Sequence, residues 1–318
     1  MIRHKGLALV LVLWVLSLLT IMAGSFALSM RREASIVAGI KNNAQARAVA
    51  ESGIAMAEMM LLNPDQNKRW RADGSIYEIN SEDARVRVRL ISETGRIDIN
   101  KADQTLLQGL MTHAPVDEEQ QTRLVNAILD WHDKDDMVRL DGAEKKEYQD
   151  AGLSYQPRNK PFQTIEELQL VLGMNESVFK WIEPLVTVYS GQQQVTVQLA
   201  TKEVLQVIPG LDMGLVDSYI AARLESAKND LPVPAFPSSS GQNSGAGQNN
   251  VLTLVSEAFM DDESSAVISA VIKQSDQSQV APFQVLKWQR ATANDASLFT
   301  DAMSELIVKQ YAEPQLNY

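Results

Sequence analysis

The sequence predicts an α+β protein. A long N-terminal helix packs on an antiparallel sheet, and a large all-α domain containing helix-hairpin-helix-like units is inserted into that sheet. Three observations predict this. From Leu7 to Met30 there is no charged residue, and apolar positions then recur at helical spacing through Ile36, Ile40, Ala44, Ala48, Ile54 and Met59. Alternating, strand-like segments fall in two blocks, one around Arg85–Leu90 and one beyond Val251. Between those blocks, Lys101 to about Arg223 reads as a run of helices, so the sheet is split in sequence by helical chain.

The first element follows a short basic leader, Arg3-His4-Lys5-Gly6. A helix over Leu7–Met30 is roughly 36 Å long at about 1.5 Å per residue, enough to cross about 30 Å of hydrocarbon. A secretory signal has a shorter apolar core and a small-residue cleavage site. The helix runs on as an Ala- and Met-rich amphipathic stretch from Glu33 to Leu62. Pro64 ends it, because proline biases the preceding residue away from α and cannot continue the helix.

Strands are expected next at Ile76–Ile79 and at Arg85–Leu90. There Val86, Val88 and Leu90 take one face and Arg85, Arg87 and Arg89 the other. After a turn at Glu93-Thr94-Gly95, a second short strand is expected over Arg96–Asn100. The helical block carries a weak internal repeat. Ile97–Ala102 leads into Leu106–Leu110, as Val195–Ala200 leads into Val204–Leu211. A further helix pair is expected at Thr164–Leu172 and Glu176–Val188, with Thr164 and Glu167 as a capping box; Asp212 is expected to cap the helix after Pro209-Gly210. An uncharged Pro/Ser/Gly/Asn-rich stretch from Leu231 to Asn250 reads as a linker. Strands are expected at Val251–Phe259, Ala266–Lys273 and Pro282–Arg290, and a helix at Ser297–Tyr311.

The segments are therefore 1–6, leader; 7–30, transmembrane helix; 31–99, amphipathic helix and first strands; 100–225, inserted α domain; 226–250, linker; and 251–318, remaining strands and tail. The net charge of −11 over 318 residues argues against a nucleic-acid surface, which needs a basic face. It suits cations or a basic partner. With no cysteine there is no disulfide framework, thiol catalyst or thiolate metal site. The three histidines leave little for zinc or histidine catalysis, and phosphate-binding glycine loops and nucleophile elbows are missing. No catalytic residue is assigned.

The densest polar cluster is Asp130-Trp131-His132-Asp133-Lys134-Asp135-Asp136, followed by Arg139, Asp141 and Glu144. Carboxylates on a tight loop are hard oxygen ligands suited to Ca²⁺. With Asp133 as position 1, Asp135 and Glu144 fall at positions 3 and 12 of an EF-hand. Met137 and Val138 then stand where that pattern wants an oxygen ligand and glycine, so the loop is not an EF-hand. An irregular Ca²⁺ loop and a solvated acidic loop neutralised by Arg139 and Lys134 both fit this spacing; an acid/base pair fits it less well, with no pocket to serve. Trp131 reads as a core anchor and His132 as a surface histidine. The Pro209-Gly210 hairpin resembles phosphate-binding helix hairpins, but Glu203, Asp212 and Asp217 flank it, so it reads as structural.

Taken in order, these features resemble the K-type minor pseudopilins of the bacterial type II secretion system (the GspK family). The leader before Leu7 resembles a prepilin-peptidase site, which implies cleavage between Gly6 and Leu7 and methylation. Gly95–Ala102 resembles the family's entry into its α domain, Asp130–Asp135 through Gly142-Ala143-Glu144 its acidic loop, and Asn159–Phe162, Glu166–Leu168 and the Pro209-Gly210 hairpin its later helices. The resemblance implies a pilin-like fold and a place at the pseudopilus tip with I-type and J-type minor pseudopilins, above the major pseudopilin. It implies a single-pass inner-membrane protein with its C-terminal domain in the periplasm, and no nucleic-acid partner. It also implies Ca²⁺ in the α domain, for which Asp133, Asp135 and Glu144 are the best ligands and Asp130 and Asp136 weaker ones. Leu11 occupies the fifth mature position, where major pilins carry Glu to neutralise a neighbour's buried amine. A subunit without it suits the tip. The alternative is an anchored periplasmic binding protein whose hairpins contact DNA, with Arg85, Arg87 and Arg89 as its basic row.

Overall fold

The computed structural model describes residues 5–237, 250–275, 281–291 and 297–312. The leader residues Met1–His4, positions 238–249 of the expected linker and the tail from residue 313 lie outside the described residues. One helix, α1 (Lys5–Leu61), runs unbroken for 57 residues. Its large apolar side chains from Leu9 to Ile40 are 47–76% exposed. Burial begins only at Ala46, Ala50, Ile54 and Ala57, on the face that meets the sheet.

The sheet has six strands in the order β7-β6-β5-β2-β1-β8. They are β1 (Asp73–Asn80), β2 (Ala84–Ser92), β5 (Val251–Met260), β6 (Ser265–Gln274), β7 (Phe283–Ala291) and β8 (Ile307–Ala312). All pairs are antiparallel except β1 with β8. Helix α1 lies chiefly over β5, flanked by β6 and β2. It sits low because Gly53 has no side chain: a Cβ there would come within 2.8 Å of Val86 Cγ1. Ala46 packs with Ala84, Met260 and Ala266, so the apolar stem leaves the sheet at the β1–β2 and β5–β6 hairpins. Strand β2 runs the other way and delivers the helical insertion to the end far from the stem.

That insertion contains β3 (Ile97–Asp98), α2 (Gln104–Met111), α3 (Glu118–His132), α4 (Lys145–Asp150), α5 (Glu176–Ile182), β4 (Val186–Thr187), α6 (Lys202–Val207) and α7 (Met213–Lys228). Its core is separate from that of the sheet and includes Leu107, Leu124, Ile128, Trp131, Tyr148 and Ile182. The two halves of the sequence repeat pack on each other. A Cβ on Gly109 would meet Pro209, and one on Gly95 would meet the backbone of Leu199 and Ala200.

Several expectations need correction. The expected helix over Ser297–Tyr311 is a single turn, α8 (Asp301–Ser304), and then strand β8. The open edge of β1 captured it, and Trp70 Nε1 donates to Tyr311 Oη at 3.1 Å. Residues Ile165–Leu170 form a 3₁₀ helix with no cap from the Thr164 side chain. Glu167 instead accepts from Arg158 at 2.7 Å and from the Gln163 amide at 3.1 Å. The helix expected to reach Val188 stops at Ile182, two residues before Pro184, and Val186–Thr187 pairs with Ile97–Asp98. That pairing puts β3 outside the main sheet. The arginine face of β2 is not a solvated row: Arg87 is buried, bonded to Glu78 at 2.7 Å and to the Leu298 carbonyl at 2.8 Å.

Candidate functional site

The acidic cluster forms where α3 ends. Asp117 caps the start of that helix by accepting from the Gln120 amide at 2.8 Å. At the other end Trp131 stacks on Phe162 and leans on Tyr148, as expected of a core anchor. His132 is not a free surface residue. It is half-buried against Phe162, its Nδ1 lies 3.0 Å from the Leu129 carbonyl, and burial holds its pKa below the ordinary histidine value.

With Trp131 fixed, the preceding Asp130 is forced inward and is 0% exposed. It accepts from Arg139 Nη1 at 2.6 Å, the Arg139 amide at 3.2 Å and the Ala143 amide at 2.9 Å. Gly142 is required beside it, since a Cβ there would fall on the carboxylate. Arg139 Nη1 also pairs with Asp133 Oδ2. Asp135 accepts from the Met137 amide at 3.0 Å, and Asp136 accepts from Asn159 Nδ2 at 2.8 Å. Glu144 begins α4, its amide bonded to Glu147 Oε2 at 2.9 Å.

Two oxygens in this cluster are buried without a partner: Asp133 Oδ1 and Glu144 Oε1. Glu144 is 5% exposed. Its burial, followed by the charges of Asp130, Asp133, Asp136 and Asp135, pushes its pKa up to about 7. A buried carboxylate among like charges is costly unless a cation compensates it. Arg139 supplies one positive charge and reaches Asp130 and Asp133. The donor set is all oxygen, as a hard divalent ion requires. Of the expected ligands, the buried Glu144 and the half-buried Asp133 lie near the buried Asp130, while Asp135 and Asp136 are exposed. Among the described residues no three such side chains already converge on one point.

The other sequence-derived sites are at the two ends of the molecule. Gly6 and Leu7 lie in the first turns of α1. Among the described residues one helix is long and apolar enough to cross a membrane, with a mean hydropathy of 2.4 and none of its most apolar window buried. In the hairpin, Asp212 caps α7 by accepting from the Leu215 amide at 2.9 Å. The Pro209 side packs on α2 through Gly109, and Asp217 pairs with Lys202 at 2.8 Å.

Sequence reasoning missed the residues that join the two cores. Glu93 is buried and accepts from Thr253 Oγ1 at 2.5 Å, Arg96 at 3.3 Å and Thr187 Oγ1. Arg223 of α7 donates to the Asp73 carbonyl at 2.8 Å and to the Ala200 carbonyl at 2.7 Å. A Glu in a turn and an Arg in a helix carry no local signal of such distant partners.

A membrane-length helix that continues into the face of an antiparallel sheet, with a helical domain set at the far end, defines a pilin-like subunit with an inserted α domain. Residues 84–191 match the family model described as type II secretion system (T2SS), protein K. The type II secretion system protein K of Klebsiella pneumoniae is 23% identical over 259 residues, covering 74% of this chain and 79% of that protein. Its counterpart in Aeromonas hydrophila is 25% identical over 213 residues, covering 58% and 63%. The GspK-GspI-GspJ complex from enterotoxigenic Escherichia coli contains a chain of the same fold, with a TM-score of 0.50 at 16% identity over 83% of this chain and 99% of that one. Residues 84–191 thus carry the protein K domain of the type II secretion system, and the likeness of the chain to protein K relatives supports the role of a minor pseudopilin. None of these comparisons supports the alternative of a DNA-contacting protein.

Proposed function

We propose that this chain is a minor pseudopilin that starts and caps the pseudopilus from the tip, for export of folded proteins across the outer membrane. Its lateral partners are I-type and J-type minor pseudopilins, the kind of partners named with the E. coli relative. The major pseudopilin lies below them. The stem is anchored in the inner membrane and the folded part is periplasmic. Prepilin peptidase cuts between Gly6 and Leu7, and the new terminus is methylated. The role is assembly rather than turnover, and nucleic acid is not a partner.

The observation that carries this reading is the position of the α domain. It sits beyond Ser92, at the end of the sheet opposite the stem. There it crowns a helical array without obstructing the subunits below. Leu11 supports the same place, because it cannot neutralise the terminus of a subunit above it. Ca²⁺ is part of the reading: Asp133, Asp135 and Glu144 hold it, with Asp130 and Asp136 beside them, and the ion supplies the charge that the two unpartnered oxygens lack. Bound there, it ties the end of α3 to the start of α4.

The test is the N-terminal mass of the membrane protein with and without prepilin peptidase. A start at Leu7 that depends on the peptidase is the expected result. An intact Met1, or a cut beyond the apolar run, removes the tip reading.

A further inference from the structure

The two flanks of α1 on the sheet are finished differently. Directly opposed residues of paired strands share a face. Tyr77 and Ile79 on β1, paired with Val88 and Val86, therefore face α1, as does Tyr311 on β8. This flank is closed. Trp70 stacks on Tyr77 with centroids 4.3 Å apart and donates to Tyr311. On the other flank, Val285 and Trp288 of β7 pair with Ile272 and Ala270 and face the same way. They are 51% and 43% exposed, and Arg290 follows on the same face, paired with Ile268.

Spacing says what fits there. Strands lie about 4.8 Å apart, so β7, two strands from β5, is displaced by about 9–10 Å. That matches the 8–10 Å between the axes of packed helices. A second helix laid over β7 would pack on α1 and cover Val285 and Trp288 together. On the opposite side the corresponding strand is β1, whose helix face is already filled. Addition of a strand to the free edge of β7 fits less well. Lys287 and the bulge at Leu286 break that edge, two devices that keep strands from pairing.

We propose that the open trough between α1 and β7 seats the long N-terminal helix of a neighbouring pseudopilin, with Val285 and Trp288 as anchors and Arg290 opposite an acidic side chain of that helix. This assignment rests on the pseudopilin reading and adds to it the side of α1 on which the neighbour sits. It continues the exposed apolar surface of the stem, Leu9–Ile40, up onto the folded domain. A partner helix that runs beside α1 in the membrane stays in contact with apolar surface as it leaves the bilayer.

Because the chain has no cysteine, single cysteines report contacts without background. Trp288→Cys on the open flank, Ile79→Cys on the closed flank and Ile36→Cys on the stem would be placed in the full chain, co-expressed in membranes with I-type and J-type pseudopilins. A short bis-maleimide would bridge each to cysteines walked along the partner helices. The expected result is bridging from Trp288→Cys and Ile36→Cys and none from Ile79→Cys. Trp288→Ala, which removes a half-exposed anchor, should lower recovery of the partner complex about tenfold or more while the melting temperature of the protein is unchanged. Bridging from Ile36→Cys and Ile79→Cys but not Trp288→Cys overturns the flank and leaves the pseudopilin reading standing. Bridging of Trp288→Cys only to a second copy of this chain also overturns it. No bridging even from Ile36→Cys removes both.

Discussion

Glu93 and Glu144 are both buried glutamates in turns, and they are finished in opposite ways. Glu93 receives hydrogen bonds from Thr253, Thr187 and Arg96, which come from the sheet, the two-stranded ladder of the insertion and its own turn. Glu144 has an oxygen with no partner and four aspartates for neighbours. A carboxylate whose donors are all protein groups is a joint, complete as the chain folds. One that is surrounded by its own charge is left with an oxygen that no described residue satisfies. The difference separates the part of the molecule that holds its two cores together from the part where a cation is proposed to bind.

The largest effect is expected from removing the joint. Glu93→Ala leaves two buried hydroxyls and Arg96 without their acceptor, and breaking a buried pair from one side costs about 3–5 kcal/mol. For a protein of this size that is a fall of roughly 10 °C in melting temperature, with or without Ca²⁺, read by calorimetry. A loss under about 1 kcal/mol would mean that the two cores do not depend on this contact.

The second prediction concerns the ligand. An ion that binds only the folded state at a hundredfold excess over its Kd stabilises by about 2.7 kcal/mol. Ca²⁺ should therefore raise the melting temperature of the wild type by several degrees, and chelator should reverse the change. Asp133→Asn and Glu144→Gln should each abolish the shift, and Asp135→Asn, at an exposed position, should weaken it. An unchanged melting temperature in the wild type removes the metal site.

Legibility followed the range of the forces involved. The stem, the paired strands Arg85–Leu90 and Val251–Phe259, and the Asp212 cap were readable because periodicity and capping act within a few residues. The acidic loop was readable as composition, but its internal order was not. Nothing in Asp130–Glu144 says that Asp130 turns inward while Asp135 stays out; that follows from Trp131 anchoring the helix against Phe162 and Tyr148. Strand β8 was misread as helix because Ser297–Tyr311 has local helical character, and its fate was decided by a partner strand more than two hundred residues earlier. The same holds for Arg87, whose alternation implied solvent and whose partner Glu78 lies across the hairpin.

The smallest predicted effect isolates one proton. The pKa of Glu144 in the folded protein, about 7, lies above its ordinary value of 4.5. The folded state therefore holds that proton more tightly than the unfolded chain does. Its contribution to stability is fully present below the unfolded value and is lost as pH rises through about 7. In chelator, the melting temperature of the wild type should fall relative to that of Glu144→Gln as pH rises from 5 to 8. His132 acts in the opposite direction: its pKa is lowered by burial, so it favours the folded state as pH rises. The difference between wild type and Glu144→Gln cancels this background and leaves the Glu144 contribution alone. Ca²⁺ competes with the same proton, so the melting shift it produces should grow with pH. A metal shift that is flat from pH 5 to 8 would mean that Glu144 is no ligand, even if Asp133 is.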